Sequence, residues 1–483
     1  MSYVFEGLDP ASVLKYFYDL SQIPRMPGDQ KKVSDWALNV GRSLGLESFQ
    51  DDKLNVIIRK PAFAGMEGAP PVAVQSHLDM VCEKEPGVVH DFFKDPLKLR
   101  IVGNNKVMAT GTTLGADNGV GVAFIMALLA DKSLKHPEIE AVFTIDEETD
   151  MGGAFGLAYD KLSSKLLINL DAGAVCVCGS GELEVEMAFP KITEPVKKDS
   201  LFYTISVDGL IGGHTGANAM IERGNAIIMV NRILLALDKA VPYQLLSMHG
   251  GAGMSSAFAR NANAVIAFSP AQLGKVISVV DCESAALKFE MQKRDKDAAV
   301  HFLPCTTPPG VAFDDATSKK TRTLLTALPD GVFSLNKDFA GAFESCSNVG
   351  VIETKDSEIF VTILIRATVP GKKYYLYDKV VHICDALGVA HTIGRDLPHW
   401  EYNMDDYVKA LITELYPEHE HGLAQGTLEC GIFTANMPGT CVVALGGPYY
   451  YAHSPSEYFL LDETRKYWQR FLTILERLGG RTA

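Results

Sequence analysis

PPVAVQSHLDMV, residues 70–81, opens on prolines, runs through small and β-branched apolar residues, and ends on His77 and Asp79. That pattern reads as a short buried strand with polar groups at its C-terminal end. The next long apolar segment, ADNGVGVAFIMALLADK (116–132), has the length and apolar spacing of a helix, and EAVFTI (140–145) and KLLINLDA (165–172) are again strands. Upstream, LNVIIRK (54–60) is a further strand. It follows two amphipathic helices, ASVLKYFYDLSQI (11–23) and DQKKVSDWALNVGRSLGL (29–46), the second ended by Gly45. Strands alternating with helices predict an α/β domain whose sheet is mostly parallel and covered by helices on both faces.

The texture changes between about Val185 and Gly388. LFYTISVDGL (201–210), NAVIAFS (263–269), ISVVDCESAALKFEMQK (277–293) and EIFVTILIRAT (358–368) read as strands of alternating polarity, and AIIMVNRILLALDK (226–239) as a helix between them. This predicts an α+β insertion whose sheet has one covered face, with room for two similar halves, although no repeat is strong enough to require them. GTCVVALGG (439–447) and the helix DETRKYWQRFLTILERL (462–478) return to α/β texture. The expected organisation is a discontinuous catalytic domain, 1–184 and 389–483, interrupted by an α+β lid at 185–388. Ligands should bind near the strand C-termini, facing the insertion.

At 483 residues the chain exceeds what one hydrophobic core usually serves, which agrees with two domains. With 45 Lys+Arg against 59 Asp+Glu the formal charge is −14, so no basic excess exists to bind nucleic acid, and none is expected as a partner. Acidic residues can concentrate divalent cations where they converge, though solubility alone also accounts for the balance. Nine scattered cysteines, an odd number, predict buried free thiols rather than a disulfide framework. The opening MSYVFEGLDPASVLKYFYDL has neither the basic n-region nor the apolar h-region of a secretory signal, and no long uncharged apolar run predicts a membrane span. A cytoplasmic location is expected.

Chemically capable residues collect where the strands end. His77 and Asp79 are two apart, so on a strand they share a face, and the carboxylate can orient one ring nitrogen while the other binds a metal. Asp117 lies in the glycine-rich GTTLGADNGVG (111–121) that opens the helix. No Gly-Lys-Ser/Thr follows for phosphate, which leaves a helix cap or a carboxylate bridging two metals. Asp146-Glu147-Glu148 follows EAVFTI; these acids are either solvated or neutralised by cations. Asp171 ends KLLINL, and His453 stands in YYAHSP shortly before the last helix. Together these positions offer two imidazoles and several carboxylates, the ligand types of hard-to-borderline divalent metals.

The strings VAVQSHLDMV, GTTLGADNGVGVAF, TIDEETDMGGAFGL, LLINLDAG and HSPSE resemble the dizinc exopeptidases that include aminoacylases, bacterial carboxypeptidases and dipeptidases. Within that group the chain is most similar to the aminoacyl-histidine (Xaa-His, carnosinase-like) dipeptidases, essentially from end to end. The resemblance implies two Zn²⁺ ions, with Co²⁺ or Mn²⁺ as substitutes, and a small unblocked dipeptide as substrate. It implies that His77, Asp117 and Asp171 ligate one zinc and Glu148 and His453 the other, with Asp117 bridging. Asp79 would orient His77, and Glu147 would be the general base towards a bridging water. Adjacent strand residues point to opposite faces, so Glu147 and Glu148 can both serve only if the chain turns there, which TDMGG allows.

In the insertion, Gly-Gly-His214-Thr-Gly resembles the lid histidine that stabilises the oxyanion, and Arg366 the arginine that pairs with the substrate carboxylate. An exposed loop histidine and a strand-face ion pair are the plainer alternatives. Three segments depart from the family: Ser256-Ala-Phe-Ala-Arg260 in place of Asn-Ala-Ile-Pro-Arg, Gln425-Gly-Thr-Leu-Glu429-Cys430 in place of His-Ala-Gly-Leu-Glu-Cys, and Arg366-Ala367-Thr in place of Arg-Ser-Ser. None contains a metal ligand implied by the resemblance, so they bear on side-chain specificity. The alternatives in function are deacylation of N-acyl amino acids on the same scaffold and a catalytically silent metal-binding protein. A lid of this length can be completed by its own second half or by a partner chain, so a homodimer stays open beside a monomer.

Overall fold

The computed structural model describes residues 3–173, 175–419, 421–447 and 449–481. The chain forms two compact units: Met1–Gly179 with Trp400–Ala424 and Leu428–Ala483, and Ser180–His399 with Gln425–Thr427. These limits differ from the expected 184/185 and 388/389. The strand Gly181–Pro190 pairs along its length with Glu358–Ala367 and with Ala390–Leu397, so all three go with the second unit's sheet.

In the first unit an eight-stranded sheet has the spatial order Glu47–Gln50, Val56–Lys60, Ile139–Thr144, Val72–His77, Leu166–Ala172, Cys441–Gly446, Cys176–Gly179, Gly422–Ala424. The four central strands, Ile139–Thr144 to Cys441–Gly446, are mutually parallel, and antiparallel pairs flank them. Parallel strands buried on both faces read as near-continuous apolar runs, and Val72–His77, Ile139–Thr144 and Leu166–Ala172 are buried at every position. The helix Ala116–Ala130 is buried on nearly all sides and packs on Ala11–Ser21 and on Val72–His77. The last helix, Leu461–Gly479, presents Trp468 and Phe471 to Phe124, with ring centroids 5.3 and 6.2 Å away. A separate four-stranded antiparallel sheet, ordered Tyr449–Tyr450, Tyr458–Leu460, Lys106–Ala109, Leu99–Val102, sets the hairpin loop 451–457 beside the strand that runs on into Asp117's loop.

The second unit holds a nine-stranded antiparallel sheet over a core drawn from Leu183 to Val389. It consists of two four-stranded halves joined where Gly250 pairs Ile352, with Gly331–Leu335 added to the strand Phe343–Thr354. One expected strand is a helix: all but the last two residues of ISVVDCESAALKFEMQK lie in the helix Leu273–Met291. Its buried residues, Val276, Val280 and Leu287, recur at four and seven positions, a helical spacing that outweighs the β-branched Ile-Ser-Val-Val start. Among the described residues no cysteine forms a disulfide; five are buried as expected, whereas Cys282 is exposed. Among the described residues no helix is long and apolar enough to cross a membrane.

Candidate metal centre

His77 is the last residue of its strand and is fully buried, as is Asp79. The ring lies between acids: Nδ1 is 3.4 Å from Asp79 Oδ1, while Nε2 is 3.2 Å from Asp117 Oδ1 and 3.6 Å from Asp171 Oδ1. Asp79 also bonds the backbone of the following acidic pair. Its two oxygens accept the backbone N–H groups of Glu147 at 3.2 Å and Glu148 at 3.1 Å. The chain turns on the acidic pair itself, starting at Asp146 with φ 55° and closed by the Met151 N–H on the Asp146 carbonyl. TDMGG only completes that turn. Asp146 faces elsewhere, accepting from the Gly28 N–H and the Gln30 amide.

Asp117 is no helix cap. Gly115 holds the N-cap position in a left-handed conformation, and Asp117 and Asn118 have non-helical dihedrals. The two Asp117 oxygens face different rings: Oδ1 is 3.2 Å from His77 Nε2 and Oδ2 is 3.3 Å from His453 Nε2. His453, half-exposed in its hairpin, is also 3.0 Å from Glu148 Oε2. Asp171 takes a long contact from the Tyr449 hydroxyl at 3.4 Å. Three groups of ligand atoms each lie within 4.8 Å of one another: His77–Asp117–Asp171, Asp117–Glu148–His453 and His77–Glu147–Glu148.

Burial, and next the Asp171 charge, push the Glu147 carboxyl well above its ordinary range. Burial and the Asp117 charge raise Asp171 to about 6. Burial also opposes the charge on Asp117, but its bonds with His453 and His77 hold it below the carboxylate range. Carboxylates this close and this dry are stable as anions when cations lie among them. Glu148 Oε1 is buried without a hydrogen-bond partner among the described residues, as an oxygen reserved for a cation would be. Imidazole nitrogens with carboxylate oxygens suit zinc and similar divalent ions, so the residues fit metal binding.

Residues 73–477 match the profile of peptidase family M20/M25/M40. The chain belongs to this family. It is therefore a peptide hydrolase. This M20 chain is 31% identical to the cytosol non-specific dipeptidase of Escherichia coli K12, with 98% of this chain and 99% of the relative covered. Its fold is similar to the crystal structure of aminoacylhistidine dipeptidase from Vibrio alginolyticus, with a TM-score of 0.84, 29% identity and 98% of each chain covered. The aminopeptidase PepT of Bacillus cereus shares the fold at a TM-score of 0.55 and 14% identity, over 98% of this chain and 99% of that one.

In the second unit of the M20 chain, His214 is exposed. Its Nδ1 accepts the N–H groups of Gly216 and Ala217, both at 3.2 Å, which leaves Nε2 to carry the proton. Nε2 lies 3.2 Å from Arg366 Nη2, so two donors meet there. Arg366 is buried. It pairs with Glu182, directly opposite on the neighbouring strand, through Nη1 at 2.8 Å. Glu182 also takes Arg395 at 2.7 Å, and the Thr427 hydroxyl bridges Arg366 and Glu182 at 2.9 and 3.0 Å. The strand-face ion pair thus exists, with Nη2 turned towards His214. Thr427 and Gln425 belong to one of the departing segments, and Ser256 accepts the Thr215 N–H through its carbonyl.

Some residues at the site escaped the sequence reading. Gln75 donates to Glu429 Oε2 at 2.6 Å and accepts from Asn169 at 2.5 Å; Thr144 also donates to Glu429 Oε2 at 2.8 Å. This buried net ties together three strands one step below His77, the Glu pair and Asp171, and burial pushes Glu429 up to about 8. Gln75 and Asn169 stand two residues before His77 and Asp171, so the two-residue period could have found them. Arg25, between the first two helices, donates to the carbonyls of Leu78, Asp79 and Gly115, and no sequence signal marks it.

Proposed function

We propose that the chain is a two-metal dipeptidase that hydrolyses unblocked dipeptides, Xaa-His among them, in the cytoplasm. The observation that carries this reading is the placing of Asp117, whose two oxygens face His77 and His453 with Asp171 and Glu148 at either side. Alignment over 98% of the chain with relatives named as dipeptidases supports the substrate class.

In this reading His77, Asp117 and Asp171 would hold one zinc, and Asp117, Glu148 and His453 would hold the other. When bound, the ions would supply Lewis acidity and would lower the pKa of water. Asp79 orients His77 and fixes the Glu147–Glu148 backbone. Glu147 takes a proton from the attacking water and returns it to the leaving amine. His214 donates from Nε2 to the oxygen that becomes negative at the scissile carbonyl. Arg366 meets the substrate carboxylate through Nη2.

Purified protein stripped of metal should lose activity on a dipeptide panel and regain it with Zn²⁺, Co²⁺ or Mn²⁺. Full activity in protein verified metal-free would overturn the reading. N-acyl amino acids cleaved in preference to unblocked dipeptides would make the enzyme a deacylase instead.

A further inference from the structure

One buried acid reaches the centre through backbone alone. Glu457, 2% exposed, lies four residues after His453 in the same hairpin loop. Its Oε2 accepts the N–H groups of Leu114 at 2.7 Å and Gly115 at 2.9 Å. Its Oε1 accepts those of Ala116 at 2.8 Å and Asp117 at 3.2 Å. Four consecutive amides use the whole acceptor capacity of a carboxylate.

The same loop is gripped from the opposite side. Arg25, also 2% exposed, donates to the Gly115 carbonyl at 2.5 Å and to the carbonyls of Leu78 and Asp79 at 2.8 and 2.7 Å. Gly115 has φ 65°, and a Cβ there would lie 2.2 Å from Arg25 Nη2, so a side chain at this position would be strained and would displace the guanidinium. The connections form a line. The hairpin of His453 holds the loop through Glu457, and the loop is held by Arg25 to the strand end that bears His77. Asp117 sits on that loop, nearly equidistant from the two rings at 3.2 and 3.3 Å.

We propose that Glu457 is a positioning residue that fixes the Asp117 carboxylate between His77 and His453 and so sets the spacing of the two cation sites. The inference rests on the two-metal reading above. It differs from a purely structural role, for which the molecule supplies a control. Glu140, fully buried on the strand Ile139–Thr144, accepts the N–H groups and hydroxyls of Ser163 and Ser164, and none of its donors adjoins a metal-ligand candidate.

The test compares full-length wild type, Glu457→Gln and Glu140→Gln. Each is stripped of metal, then titrated with Zn²⁺ against a competing chromophoric chelator and with Co²⁺ read by its visible absorption, and thermal unfolding is followed without metal. A glutamine turns an NH₂ towards amide donors, so the loop should shift. Glu457→Gln should bind its second equivalent about 10–100-fold more weakly, with an altered Co²⁺ spectrum. Glu140→Gln should unfold at lower temperature yet bind both equivalents as wild type does. Wild-type affinity for both equivalents and an unchanged Co²⁺ spectrum in Glu457→Gln overturn the proposal, whatever its melting temperature. If that variant does not fold, Glu457→Asp decides by the same criteria, because it keeps the charge and pulls the loop by one methylene. Wild type that takes up fewer than two equivalents, or uptake that survives His77→Ala, overturns the two-metal reading and this inference with it.

Discussion

Two ionic clusters built around buried residues, His77 and Glu182, solve the same problem in opposite ways. In the first unit, His77 and His453 face Asp117, Glu147, Glu148 and Asp171, and acids outnumber bases. In the second, Glu182 sits between Arg366 and Arg395, with Thr427 as hydroxyl bridge, so its counter-charges are built in. Desolvating a charge costs several kcal/mol unless an opposite charge is supplied, and the difference lies in who supplies it. The chain furnishes the cations around Glu182. Around Asp117 it furnishes imidazoles, too few for the acids present, and a buried Glu148 oxygen finds no hydrogen-bond partner among the described residues. The balance of charge within a buried cluster thus separates a ligand site from a brace.

The sharpest break of that comparison removes a proton acceptor from the acid-rich cluster and leaves the candidate ligands alone. Glu147→Gln should retain metal by elemental analysis and lose about 10²–10⁴-fold in kcat, since an amide cannot take the proton. Near-normal kcat would reassign the base. In the second unit, His214→Ala should lower kcat about a hundredfold with KM close to wild type, because a donor to developing charge acts in the transition state. The residue is exposed, so its melting temperature should hardly move. Arg366→Ala tests whether the brace also binds. It should cost about 3 kcal/mol in chemical unfolding, towards the low end for a broken buried pair because Arg395 stays on Glu182. KM should rise roughly 10–100-fold for free-acid dipeptides and less for amidated ones. Equal penalties on both would leave Arg366 a brace only and direct attention to Arg260, which is exposed in the same unit.

The legible and illegible parts of the site divide by the kind of bond involved. His77 with Asp79, and Asp171 at its strand end, follow from periodicity, because a strand of period two must bring such residues to one edge. The α/β texture of the first unit is equally local. What escapes is made by side chains that bond distant backbone. Asp79 folds the Glu147–Glu148 turn from 68 and 69 positions away. Arg25 and Glu457 grip one loop from both ends of the chain. No spacing announces such partners. The misread segment at 277–293 failed for another reason: β-branched residues entered a helix that lies mostly on the surface, where weak amphipathicity hides the period.

The grip on Asp117's loop also has an order in time. All of His77, Asp117 and Asp171 have been synthesised once residue 171 emerges, but the carboxylate that gathers the loop's amides is made 341 positions after Ala116. A growing chain therefore carries three acidic and imidazole side chains for a long interval with Arg25 alone of the two anchors available to the loop between them. His453 and Glu457 arrive together, within four residues, on one of the last hairpins. Candidate ligand and anchor are delivered in a single event, after the last strand of the eight-stranded sheet, Cys441–Gly446, has been made.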